Sequence, residues 1–196
     1  MNSYFETLVF IGRRFQKRVG SSHPLKIKLC PELTLPPCMI QYGSLIKVDK
    51  KFMALAIGEA KKAFDKKEVP IGAVIVKDDE IIAGAHNLKE TFNNAIYHAE
   101  ILAIRDACDF LGTWRLTGCT IYVTIEPCPM CAGAILQSRI KRIVIGAMDA
   151  KSGACGSVIN LLNNPGFNHQ AEIETGILEE ECSQLMGNFF KFLRYK

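Results

Sequence analysis

From Asp49 onward, Phe52, Leu55, Ala56, Ala60, Ala63 and Phe64 recur at helical intervals, with Lys50, Lys51, Glu59, Lys61, Lys62 and Lys66 between them. The pattern predicts an amphipathic first helix. Residues 71–76 form a short apolar run rich in β-branched side chains, and Asp78-Asp79 turns the chain into residues 80–85. Two such segments so closely spaced predict a hairpin. Further on, the pattern predicts a helix over 97–110, a strand over 120–125, a helix over 128–138 and a strand over 142–146. A short helix over 158–162, a short strand over 171–174 and a helix over 178–194 complete the prediction. Five strands alternating with helices imply an α/β fold: a three-layer α/β/α sandwich on a mixed five-stranded sheet whose later strands are parallel.

The first 48 residues differ. They contain Ser21-Ser22-His23-Pro24, Pro31, Pro36 and Pro37 and sustain neither period, so 1–48 is expected to be an extension outside the fold and 49–196 the functional domain. The extension's Arg-rich, acid-poor character resembles a transit peptide, but Glu6, Glu32 and four prolines spoil an amphipathic targeting helix. A start assigned too far upstream, with the true one near Met39, Val48 or Met53, is the preferred expectation.

At 196 residues the chain has the length of one domain with an appendage. Its 48% hydrophobic and 22% charged residues are globular proportions, which exclude a disordered or collagen-like chain. No stretch approaches the ~18 uninterrupted apolar residues of a membrane span. Eight cysteines follow no secreted spacing, so a reducing, cytoplasmic compartment is expected. The net charge of +4 suggests a nucleic-acid partner until it is divided. Seven of the 24 basic and two of the 20 acidic residues lie in 1–48, leaving 17 basic against 18 acidic in the body. Any case for RNA must therefore rest on local contacts.

Three residues stand out for chemistry: His98, in His98-Ala99-Glu100, and the pair Cys128 and Cys131. Cysteines at i and i+3 share a helix face, and Pro129 is tolerated only in a first helical turn. Cys128 is therefore placed at a helix N-terminus, where free N–H groups and the helix dipole favour thiolates. Two thiolates and one imidazole suit zinc and leave a fourth position for water. His98 and Glu100, at i and i+2, converge only at a helix tip, which puts His98 in a first turn and lets Glu100 reach the water. A carboxylate there can carry a proton from nucleophile to leaving group. Cys-x-x-Cys alone is commonly a structural zinc knuckle or a redox motif. Cys30, Cys38, Cys108, Cys119, Cys155 and Cys182 lack ligand spacing and are expected to be small apolar residues, with Cys155 the one able to close the site as a fourth ligand.

Together these parts form the signature of zinc-dependent nucleobase deaminases. Residues 49–196 resemble the bacterial tRNA-specific adenosine deaminases of that superfamily throughout. The resemblance is carried by Glu68-Val-Pro-Ile-Gly-Ala-Val74, His98-Ala-Glu-Ile101, Thr124-Ile-Glu-Pro-Cys-Pro-Met-Cys-Ala-Gly-Ala-Ile135, Ser138-Arg-Ile140, Gly146-Ala147, Asp149-Ala-Lys-Ser-Gly153 and Asn188-Phe-Phe190. It implies a cytidine-deaminase-like fold, one Zn2+ per subunit on His98, Cys128 and Cys131, and Glu100 as proton shuttle. It also implies a homodimer acting on the tRNA anticodon loop, where adenosine at the first anticodon position becomes inosine. By the same resemblance Asn87 contacts the flipped nucleoside, Val69 and Pro70 wall the pocket, Asp149 reaches the neighbouring nucleotide, and Phe190, Lys191 and Arg194 contact RNA. On composition alone, the tail aromatics would instead fill core. A deaminase of guanine or deoxycytidylate would share every zinc-site residue, whereas a structural zinc module binding RNA would need a fourth ligand and no Glu100.

Overall fold

The computed structural model describes residues 37–194, with side chains described from Leu45 onward. Of the extension expected over 1–48, residues 1–36 lie outside the described residues. Nine elements follow in order: α1 (Pro37–Asp65), β1 (Gly72–Lys77), β2 (Glu80–His86), α2 (Ala99–Leu111), β3 (Thr120–Ile125), α3 (Pro129–Gln137), β4 (Arg142–Ala147), β5 (Glu172–Thr175) and α4 (Glu179–Arg194).

The sheet order is β2-β1-β3-β4-β5. β1 runs antiparallel to β2 and β3, while β3, β4 and β5 run parallel; α3 makes the crossover from β3 to β4, and an irregular segment without a helix makes the one from β4 to β5. The hairpin turn has Asp78 and Asp79 at φ 50° and 62°. This left-handed pair matches the twist of the two strands, and aspartate tolerates it.

Period-two alternation sorts the core into two layers. Ala73, Ile75, Ile121, Val123, Ile143 and Ile145 face one side and pack with Leu102, Ala103 and Ala107 of α2 and Ala132, Ile135 and Leu136 of α3. Val74, Val76, Tyr122 and Val144 face the other, with Phe52, Met53 and Ala56 of α1 and Cys182 of α4. Gly72 lets α1 lie close, since a Cβ there would collide with the carbonyl of Ala56 and crowd the backbone nitrogen of Ala60.

Two features differ from the sequence expectation. α1 begins at Pro37, upstream of Asp49. Proline is preorganised for a first helical turn, so Pro37 suits the start of this helix. Asp49 is itself a buried anchor inside α1: it accepts two hydrogen bonds from Arg142, both 2.8 Å, and one from the Tyr122 hydroxyl at 2.9 Å. The expected short helix over 158–162 is absent. Cys155 and Asn160 form an isolated antiparallel bridge, closed by Gly156 N–H to the Ile159 carbonyl and Leu161 N–H to that of Ala154. A five-residue segment with Val158 and Ile159 has little helical preference to set against these bonds.

Candidate active site

β3 delivers the chain to Glu126-Pro127-Cys128, and α3 starts at once. Cys128 is the N-cap (φ −71°, ψ 170°), Pro129 takes the first turn, and Cys131 lies one turn in. His98 is the N-cap of α2 (φ −80°, ψ 152°). Neither N-cap side chain caps its own helix. Both turn instead to a common point between the two helix starts.

His98 Nδ1 lies 3.8 Å from Cys128 Sγ and 3.6 Å from Cys131 Sγ, and the two sulfurs are 3.7 Å apart. A tetrahedral zinc with its usual bond lengths requires about 3.8 Å between two sulfurs and about 3.6 Å between sulfur and nitrogen. The triad therefore fits zinc in donor chemistry and spacing. Among the described residues it is the cluster with metal-binding geometry, and Cys155 is not part of it. The hydrogen bond from Cys131 and the proximity of His98 hold the Cys128 thiol pKa down at about 4. Sharing a proton with Cys128, followed by burial and the Glu100 charge, drives Cys131 upward. The hydrogen bond to Cys128 raises His98.

Glu100 is buried, and burial pushes its carboxyl above the ordinary value. Its Oε2 has no hydrogen-bond partner; nor does Asn87 Oδ1, also buried. Both residues line a cavity of about 510 Å³ together with His98, Cys128, Val69 and Phe190, a volume in the range of small-ligand sites.

Two further buried carboxylates support its walls. Glu68 accepts the Thr91 N–H at 2.6 Å, the Glu90 N–H at 3.1 Å and the Asn87 Nδ2 at 3.4 Å, so the Asn87 amide is turned with its nitrogen towards Glu68. Glu126 holds the 149–157 loop. Its own burial acts to raise its pKa, but hydrogen bonds from Ser157 and the Asp149, Ser157 and Cys155 amides outweigh this and leave it below the usual carboxylate value.

Residues 47–194 match the MafB19-like deaminase family. The tRNA-specific adenosine deaminase of Bacillus subtilis (strain 168) is 57% identical over 148 residues, covering 76% of this chain and 92% of the relative. The chain belongs to the tRNA-specific adenosine deaminases. A solved structure from studies of A-to-I editing by tRNA:A34 deaminases at the wobble position of transfer RNA is 44% identical. It covers 69% of this chain and 98% of its own, with a TM-score of 0.67. The guanine deaminase of Nitrosomonas europaea shares the fold, with a TM-score of 0.61 at 21% identity over 82% of this chain and 96% of its own.

In this deaminase chain the cavity brings together Val69, Asn87, His98, Glu100, Cys128, Asp149 and Phe190 from the sequence expectation. Cys131 sits buried behind Cys128, and Pro70 is buried outside the lining. Lys191 and Arg194 are exposed on α4 and do not line the cavity. The tail aromatics divide: Phe189 is 2% exposed, packed against Phe64, whereas Phe190 is 45% exposed at the cavity. Sequence reasoning missed Glu68, Glu126, Lys89, Met186 and Ser183. The last two stand four and seven residues before Phe190, on one stripe of α4, a spacing that could have shown them once Phe190 was chosen.

Proposed function

We propose that this chain converts adenosine to inosine at the first anticodon position of tRNA, as a cytoplasmic homodimer holding one zinc per subunit on His98, Cys128 and Cys131. The observation carrying this reading is the pair of buried, unpartnered acceptors, Glu100 Oε2 and Asn87 Oδ1, on the cavity wall beside the ligand triad. Buried polar atoms are rarely left unpaired, so substrate donors are the natural partners of these two.

A zinc ion held by His98, Cys128 and Cys131 would supply Lewis-acid activation of a water molecule in this chemistry. Glu100 is placed to take a proton from the attacking water and pass it to ring nitrogen 1 as carbon 6 is attacked. It then delivers the second proton to the departing amino group, so adenosine and water give inosine and ammonia. One carboxylate serves both transfers, and its buried environment, which disfavours its charge, suits a group that must hold a proton between steps.

Val69 and Phe190 give the purine apolar walls, with Pro70 packed behind, and Asn87 offers an acceptor to a nucleoside donor group. Asp149 faces the neighbouring nucleotide, and Lys191 and Arg194 take phosphates. An unpaired anticodon loop releases a base into such a pocket at low cost. Met130, Val158 and Ile159 are exposed apolar side chains available to a second subunit.

The test is incubation of zinc-loaded protein with an RNA stem-loop carrying adenosine at its first anticodon position. Inosine should appear there and at no other adenosine. Release of zinc with all three ligands intact, or no inosine from fully zinc-loaded protein, overturns the proposal.

A further inference from the structure

Glu126 lies between the ligand triad and the 149–157 loop, two residues before Cys128. It is 4% exposed. Its carboxylate accepts the N–H groups of Asp149 at 2.9 Å, Cys155 at 2.9 Å and Ser157 at 3.1 Å, and the Ser157 hydroxyl as well. Next to it, the Pro127 carbonyl accepts the Ala154 N–H at 2.8 Å. Gly153 passes so close that a Cβ there would collide with the Glu126 carboxylate. A carboxylate that receives four donors has its acceptor sites filled. It has no free oxygen for substrate or for proton transfer, and its use is positional.

The loop so held presents Asp149, Lys151 and Ser152 to the cavity. Asp149 in turn accepts the Lys151 N–H at 2.9 Å and the Ser152 hydroxyl, so the loop's polar face is organised outward from Glu126. The chain therefore ties the segment bearing Cys128 to the segment facing the neighbouring nucleotide through one buried side chain.

We propose that Glu126 is the positioning residue that fixes the 149–157 loop against the Cys128 turn, and so sets where the nucleotide beside the flipped adenosine is held relative to the reacting atoms. This rests on the tRNA reading above. Its consequence is a division of effects: disturbing Glu126 weakens the hold on RNA while the ligand triad and Glu100 keep their places.

Glu126→Gln preserves shape but sets an amide NH2 against N–H donors. Zinc content, melting temperature, KM and kcat on the stem-loop should be measured together. KM should rise about tenfold, the equivalent of one or two lost hydrogen bonds, with zinc content unchanged and kcat within about threefold. Ser157→Ala, at an exposed serine, removes one donor and should raise KM by about threefold with the fold intact. A folded, zinc-loaded Glu126→Gln protein with unchanged KM overturns the proposal, as does a fall in kcat and zinc without a change in KM. If Glu126→Gln does not fold, Ser157→Ala decides: raised KM at full zinc supports the role and unchanged KM overturns it. A parent chain that leaves the stem-loop adenosine untouched overturns the tRNA reading as well, whereas an active parent with indifferent variants overturns the positioning role alone.

Discussion

Replacing Asp49 by alanine should destabilise the protein substantially while sparing its chemistry. Asp49 is 1% exposed, and its two oxygens hold the Arg142 guanidinium in a bidentate pair, with the Tyr122 hydroxyl donating to the same carboxylate. The pair ties α1 to β3 and β4, and the hydrogen bond to Asp49 raises the Arg142 pKa. Removing one partner of a buried pair costs about 3–5 kcal/mol, because the other charge is left uncompensated. The Arg142 side chain is 15% exposed and keeps Glu174 at 3.9 Å, so the lower end, about 3 kcal/mol, is expected. For a domain of this size that is a fall in melting temperature of about 6–12 °C. Arg142 pairs with Thr120, at the opposite end of β3 from the Cys128 turn, about 17 Å away along the strand. Zinc content and kcat, measured well below the melting point, should therefore match the parent. Adding Arg142→Leu should recover part of the loss, since it removes the stranded charge. The assay is thermal and urea denaturation of the parent, both singles and the double. A Asp49→Ala protein melting within 2 °C of the parent, or one that is folded yet has lost zinc, would refute the reasoning.

Glu100→Gln should retain zinc but lose turnover by about 100-fold or more, whereas Cys128→Ala should lose both; metal analysis beside a single-turnover assay separates them. Gly72→Ala sets a methyl group against the α1 backbone at Ala56 and Ala60 and should cost about 1–3 kcal/mol, read as a lowered urea midpoint with an unchanged slope. Asp149 is raised by burial but lowered further by the Ser152 hydroxyl and the Lys151 and Ser152 amides, so its net pKa lies below the usual value. A depressed carboxylate contributes stability above its unfolded pKa, and that contribution is lost as pH falls through the folded value. Below about pH 4 the melting temperature of the parent should therefore fall more steeply than that of Asp149→Asn, as followed by circular dichroism.

The strands 120–125 and 142–146 were legible because they are short, largely apolar runs that serve two buried faces at once, and the clustering of His98, Cys128 and Cys131 because their spacing demands two helix tips. The start of α1 was hidden because residues 37–48 carry little amphipathic pattern; what begins that helix is Pro37. The 158–162 segment misled because its apolar run is short, and a strand-like bridge to Cys155 decides its shape. Glu68 and Glu126 escaped notice for a common reason. Their partners are mostly backbone N–H groups of loops 22 to 31 residues away in sequence, and such groups leave no residue-type signature. What could have flagged them is a lone acid beside apolar neighbours and a proline: Ile125-Glu126-Pro127 and Glu68-Val69-Pro70. Phe189 and Phe190 could not be told apart by composition, since adjacent helical residues point about 100° apart and only packing shows which one faces inward.

The most direct measurement is a competition on one zinc-loaded preparation. The anticodon stem-loop, free adenosine, guanine and deoxycytidylate are supplied together, and kcat/KM for each is read from product by mass spectrometry. The account predicts inosine at the first anticodon position of the stem-loop, at a kcat/KM at least ~100-fold above any free base or nucleotide, and abolished by Glu100→Gln. Faster conversion of guanine or deoxycytidylate than of the stem-loop would contradict it and make this chain a small-molecule deaminase.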